Sequence, residues 1–101
     1  MNARLTRFRR RLEAMIPVER LIVFGSTVAG PRHADSDVDL ILVSAAFRGQ
    51  DYRERYPPLA DLWEEGAPLD LICLTPEEFE ERRQGITLVS VALREGVLVE
   101  G

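Results

Sequence analysis

Two stretches decide how this chain reads: Leu21-Ile22-Val23-Phe24-Gly25-Ser26 and, after ten intervening residues, Asp37-Val38-Asp39-Leu40-Ile41-Leu42-Val43. An apolar run ends in a glycine and a serine, and a second apolar run opens on two carboxylates. Physically, one buried strand ends in a small-residue turn and another begins with paired aspartates. Side chains two apart on a strand share a face, so Asp37 and Asp39 are expected to look out together. Two carboxylates on one face repel each other and are costly to desolvate unless a cation sits between them. Hard divalent ions with oxygen ligands meet that need, and magnesium commonly binds through one or two carboxylates plus substrate phosphates. The segment from Gly25 to Ala29 is expected to turn into a short helix with free backbone N–H groups at its start, which is where a phosphate binds.

Outward from this centre, strands alternate with helices. Leu5, Phe8, Leu12 and Met15 recur at helical spacing within residues 3–15, with arginines on the other faces, and Pro17 is expected to end that helix. Residues 18–24 and 37–43 read as the first two strands. A polar stretch runs from Ser44 to Arg55, and Leu59, Leu62 and Trp63 then suggest a second main helix ending before Gly66. Residues 68–74 read as a third strand. Thr75-Pro76-Glu77-Glu78 is a helix start, with Thr75 as N-cap, proline at the first helical position and acids in the first turn. That helix is expected to end near Gly85. Residues 86–94 read as a last short helix, closed by Gly96 before a strand over 97–99. The alternation predicts an α/β layer fold with a mixed sheet flanked by helices.

Composition narrows the function classes. At 101 residues, 46% of them hydrophobic, the chain has room for one domain over residues 1–101 and no second core. No apolar run approaches the roughly twenty residues that span a bilayer, and no signal-peptide segment follows the basic N-terminus, so a cytoplasmic protein without a membrane partner is expected. The single cysteine, Cys73, excludes an internal disulfide and any cysteine-based zinc cluster. A net charge of −4 argues against general nucleic-acid coating. All thirteen basic residues are arginine, so any cationic side chain on a phosphate is a guanidinium, and a lysine nucleophile is impossible.

These residues resemble the nucleotidyltransferase superfamily of DNA polymerase beta, whose signature is Gly-Ser, about ten residues, then Asp-x-Asp. Gly25-Ser26 and Asp37-Val38-Asp39 match it, and Asp70 in Pro68-Leu69-Asp70-Leu71-Ile72 takes the place of the third acidic residue on a later strand. The short length, with Ser36-Asp37-Val38-Asp39-Leu40 and Ala92-Leu93-Arg94-Glu95-Gly96, looks most like the minimal nucleotidyltransferases, a likeness covering nearly the whole chain. The resemblance implies a small polymerase beta-like domain, with Gly25 and Ser26 on the phosphates of ATP and Asp37, Asp39 and Asp70 holding two Mg²⁺ ions. It also implies a helical HEPN-domain toxin as partner, for which such proteins act as antitoxin, in some pairs by transferring AMP onto a toxin tyrosine. Many relatives carry arginines in the turn where this chain has Thr27 and Ala29; Arg32 is the candidate substitute.

Several residues have a plainer reading beside the functional one. Asp70 is the only charge in an apolar strand, and isolated buried carboxylates are rarely tolerated; it is either an edge-facing aspartate at a strand start or the base that activates the acceptor hydroxyl. Arg4, Arg7, Arg9, Arg10 and Arg11 are either a solvated helix face or a surface for RNA or an acidic partner. Asp35 and His33 read as solvated loop residues, Cys73 as a small core residue, and Trp63 and Phe79 as helix core positions. Two other functional classes stand beside the enzyme: a binding module that silences a partner by covering it, and a small-molecule nucleotidyltransferase whose acceptor site comes from a partner chain.

Overall fold

The structure, a computed structural model, describes residues 3–24, 38–63, 69–85 and 87–99. The first helix, α1 (Ala3–Glu13), buries Leu5, Phe8 and Leu12. It stops short of the expected end. Met15 N–H and Ile16 N–H both return to the Leu12 carbonyl, tightening the last turn. Pro17 also disfavours helical backbone at the residue before it. Met15 is thereby carried off the apolar stripe and is 54% exposed, not a core residue.

Four strands form the sheet: β1 (Arg20–Phe24), β2 (Val38–Val43), β3 (Leu69–Leu74) and β4 (Val97–Leu98). Their order is β3-β2-β1-β4, with β1 antiparallel to both neighbours and β2 parallel to β3, so the sheet is mixed as the alternation predicts. Both faces are covered. Leu21, Val23, Leu40, Leu42, Leu71 and Cys73 share a core with Leu5, Phe8 and Leu12 of α1. On the other face Ile22, Ile41, Val43 and Leu74 pack with Phe79, Val89 and Ala92 of the two later helices. Burial on both sides explains why β2 is an almost unbroken apolar run after Asp39.

The segment between β2 and β3 departs from the expected main helix. It holds a 3₁₀ turn at Ala45–Phe47, the one-turn helix α2 (Tyr52–Arg55) and a 3₁₀ stretch at Pro57–Leu62. Two consecutive prolines, Pro57 and Pro58, lack N–H donors, so α2 cannot run on through them into the following stretch as one α-helix. Trp63 follows in extended conformation rather than in a helix, and packs edge-on against Phe8 with ring centroids 5.3 Å apart.

Helix α3 (Pro76–Arg82) starts where expected, with the Thr75 hydroxyl accepting from Glu78 N–H and the Glu78 carboxylate accepting from Thr75 N–H. Helix α4 (Leu88–Glu95) repeats the device with Thr87 and Ser90 and closes at Gly96.

Candidate functional site

The parallel pairing of β2 and β3 makes Asp39 the register partner of Asp70. Neighbouring strands lie about 4.8 Å apart, and register partners project to the same face. Asp39 alternates with Ile41 and Val43, and Asp70 with Ile72 and Leu74, so both belong to the face that α3 and α4 cover farther along. Across β1 the partner of Asp39 is Phe24, so one row of the sheet reads Phe24, Asp39, Asp70.

Burial corrects one premise of the sequence reading. Asp70 is not an isolated carboxylate inside an apolar strand; it is exposed, at the second position of an edge strand. Its place at the sheet margin lets water solvate the charge, which removes the desolvation cost that made it look anomalous. Asp39, one strand inward, is half-buried.

Of the expected site residues, Asp39 and Asp70 are brought together. Gly25, Ser26, Arg32 and Asp37 lie outside the described residues, as do Thr27, Ala29, His33, Asp35 and the expected short helix. Among the described residues there is no group of three acidic, histidine or cysteine side chains arranged to hold a metal ion. What is described is a pair of carboxylates side by side on one face. Two hard oxygen donors with an exposed approach fit magnesium and suit softer metals poorly.

Other residues are placed less ambiguously. Cys73 faces the opposite core, 2% exposed, and burial pushes its thiol up to about 12 against the pull of the Arg55 guanidinium; it is a packing residue, neither ligand nor nucleophile. Two of the first-helix arginines are structural rather than a solvated face. Arg9 donates to the Val99 carbonyl at 2.9 Å, and Arg11 to the Leu62 carbonyl at 3.2 Å. A groove of about 590 Å³ opens between α4 and β4, lined by Arg20, Ile22, Leu93, Gly96 and Leu98 among others. It lies at the opposite edge of the sheet from Asp70.

Tyr52 is a residue that sequence reasoning passes over. It begins α2 beside the β3 edge, half-exposed, with the Arg55 guanidinium 5.6 Å over its ring. Nothing local signals this, because Ser44 to Arg55 reads as a polar connection and the proximity arises only from the fold.

No curated protein matches the sequence. Two solved structures share the fold. One is a candidate nucleotidyltransferase from Sulfolobus solfataricus, 19% identical, TM-score 0.64, with 94% of this chain and 75% of that one matched. The other is BolA1 from Arabidopsis thaliana, 18% identical, TM-score 0.60, with 77% of this chain and 98% of that one matched. Two proteins so differently described on one fold show that the architecture alone does not decide function. No helix among the described residues is long and apolar enough to cross a membrane. The family described as "Nucleotidyltransferase domain" matches residues 5–98, nearly the whole chain and the strands that carry Asp39 and Asp70. With its carboxylates paired across β2 and β3, the chain belongs to the nucleotidyltransferase domain family.

Proposed function

We propose that this chain is a magnesium-dependent nucleotidyltransferase that moves AMP from ATP to a protein hydroxyl, a tyrosine of a helical HEPN-type toxin, and so serves as the antitoxin of the pair. The observation that supports the chemistry is the register pairing of Asp39 with Asp70 on one sheet face.

In this reading Asp39 and Asp70, with Asp37, would hold magnesium, which when bound neutralises charge on the attacking and leaving oxygens. Gly25 and Ser26 would hold the β- and γ-phosphates through backbone N–H groups and the serine hydroxyl, with Arg32 as the added cation. Asp70, outermost in the row, would take the proton of the acceptor hydroxyl as its oxygen bonds to the α-phosphorus and pyrophosphate leaves.

The test is calorimetry followed by intact-mass analysis. ATP should bind with Mg²⁺ and far more weakly in EDTA, and the partner co-purified from the native host should gain AMP. Equal affinity in both conditions rules out a metal-held nucleotide. A wild-type chain that neutralises its partner without adding AMP is instead a binding module.

A further inference from the structure

The apolar surface that begins at Ile22 is left uncovered at the outermost strand. Ile22 and Leu98 are register partners, so they project to one face of the sheet, and Arg20, two residues before Ile22, shares that face. Helix α4 covers Ile22, which is 2% exposed, but leaves Leu98 49% exposed. There the groove of about 590 Å³ opens, with Ile22 and Leu98 as its floor, Leu93 of α4 on one side and Arg20 on its border. Its volume falls in the range of ligand sites, about 300–1,000 Å³.

Guanidinium groups stand around this apolar surface. Arg20 is half-buried, lies 5.0 Å over the Phe79 ring and has no carboxylate partner among the described residues. The ring offsets part of the cost of drawing that charge out of water and uses none of its N–H donors. Arg83 lies against the same ring at 5.9 Å and is paired with Glu80 at 3.0 Å. Beyond Leu93, which lines both, a second groove of about 350 Å³ is bordered by Arg83 and Arg94. Arg94 is exposed and, among the described residues, it too lacks a carboxylate. Arg9 and Arg55 donate to backbone carbonyls and so hold the fold together; Arg20 and Arg94 do not.

These features select among occupants. An isologous pair of copies would bring two sets of Arg20 and Arg94 into one interface, where like charges oppose association. The uncovered apolar surface is also small, since a stable dimer buries about 800 Å² on each partner. Nucleic acid is disfavoured by the apolar floor and by a net charge of −4. What fits is a short chain segment laid along β4, with apolar side chains for the groove and carboxylates for the guanidinium groups.

We propose that the α4–β4 surface is a docking site for an extended acidic segment of a partner protein, which seats an apolar side chain over Ile22 and Leu98 and carboxylates on Arg20 and Arg94. The site is independent of the nucleotidyltransferase reading, because β4 and β3 are opposite edges of the sheet.

The probe is a fluorescein-labelled peptide that alternates glutamate with leucine, titrated with the full chain and read by anisotropy. Saturable binding that weakens as salt is added is expected. Arg20→Gln should weaken it about tenfold, since a half-buried guanidinium meets its carboxylate partly out of water. Arg94→Gln, at an exposed position, should weaken it about twofold. Leu98→Asp should abolish it by placing a charge on the groove floor, and Asp70→Asn at the far edge should bind as wild type does. The arginine variants leave the apolar core intact and keep the test decisive if Leu98→Asp loosens β4. Peptides with lysine in place of glutamate, or serine in place of leucine, should bind about tenfold more weakly or worse. Equal binding of either peptide, an affinity unchanged in both arginine variants, or no binding at millimolar peptide overturns the proposal. So does a dimer in sedimentation that Leu98→Asp splits and the peptide cannot displace, which makes the occupant a second copy.

Discussion

The Arg55 guanidinium and the Glu78 carboxylate meet as a two-pronged pair, Nη1 donating to Oε1 at 2.5 Å and Nη2 to Oε2 at 3.2 Å. This pair joins α2, the β3 edge and the start of α3. Arg55 also donates to the carbonyls of Gln50 and Cys73, so the buried cation has partners on several sides. Glu78 serves twice, because Oε1 also accepts from Thr75 N–H in the capping box. The charged pair thus holds the segment carrying Tyr52 against the strand carrying Asp70.

Glu78→Gln keeps an oxygen for Thr75 N–H and removes the charge facing Arg55. Hydrogen bonds to charged groups are worth about 1.5–3 kcal/mol. Glu78 is about one-third exposed, so water screens part of this, and a loss of about 1–2 kcal/mol is expected. The effect should depend on acid in a definite direction. The Arg55 hydrogen bond, the largest cause, lowers the Glu78 carboxyl to about 2, so the unfolded state binds more protons. The pair's contribution is complete above the ordinary glutamate value of about 4.3 and fades as pH falls through about 2. Urea midpoints of wild type and Glu78→Gln should differ at neutral pH and converge in strong acid. A gap that persists undiminished at the acid end shows that the charge pair is not its source.

Asp39 and Asp70 are direct register partners, and like charges opposite each other on neighbouring strands are destabilising. Without a cation, Asp70→Asn should therefore raise stability by about 0.2–1 kcal/mol, the usual scale of a cross-strand pair. The same substitution should weaken ATP binding in Mg²⁺. A thermal melt of the metal-free protein reads the first effect and calorimetry the second. A lower melting temperature for Asp70→Asn would mean that the carboxylate is structurally engaged and not held for a ligand.

The strands and the start of α3 were legible because their signals are local. Apolar runs bounded by turn residues mark β1, β2 and β3, and Thr75-Pro76-Glu77-Glu78 carries cap, proline and acids in the order a helix start needs. The segment before β3 misled, because the spacing of Leu59, Leu62 and Trp63 mimics an α-helix while the backbone there is a 3₁₀ stretch that turns extended at Trp63. At the site, Asp39 and Asp70 could be picked out from the sequence as candidates. Their partnership could not, since register across a parallel pair is a property of two distant strands. The exposure of Asp70 depends on strand order, and the place of Tyr52 at the β3 edge on where a short helix lands. Neither leaves a periodic trace in the chain.

Gly96 closes α4 at a point where the helix end is pressed against β1. Its φ of −86° is open to any residue, so backbone strain is not the reason for glycine here. The reason is space. A Cβ at this position would come within 2.5 Å of the Ala92 carbonyl oxygen and 2.7 Å of the Val23 carbonyl oxygen. Both are backbone atoms, which cannot swing aside as a side chain could. The Ala92 carbonyl also accepts the N–H of Gly96, the bond that ends the helix. Relief must come from parting α4 from β1, beside the Val23–Val97 pairing that holds β4 to the sheet. Gly96→Ala is therefore expected to cost about 2 kcal/mol, within the usual range for overpacking, and to loosen β4 first. Urea denaturation reads the loss, and amide exchange at Val97 and Val99 reads its location. If the variant matches wild type in midpoint and protection, α4 and β1 do not approach as closely as their backbone atoms indicate.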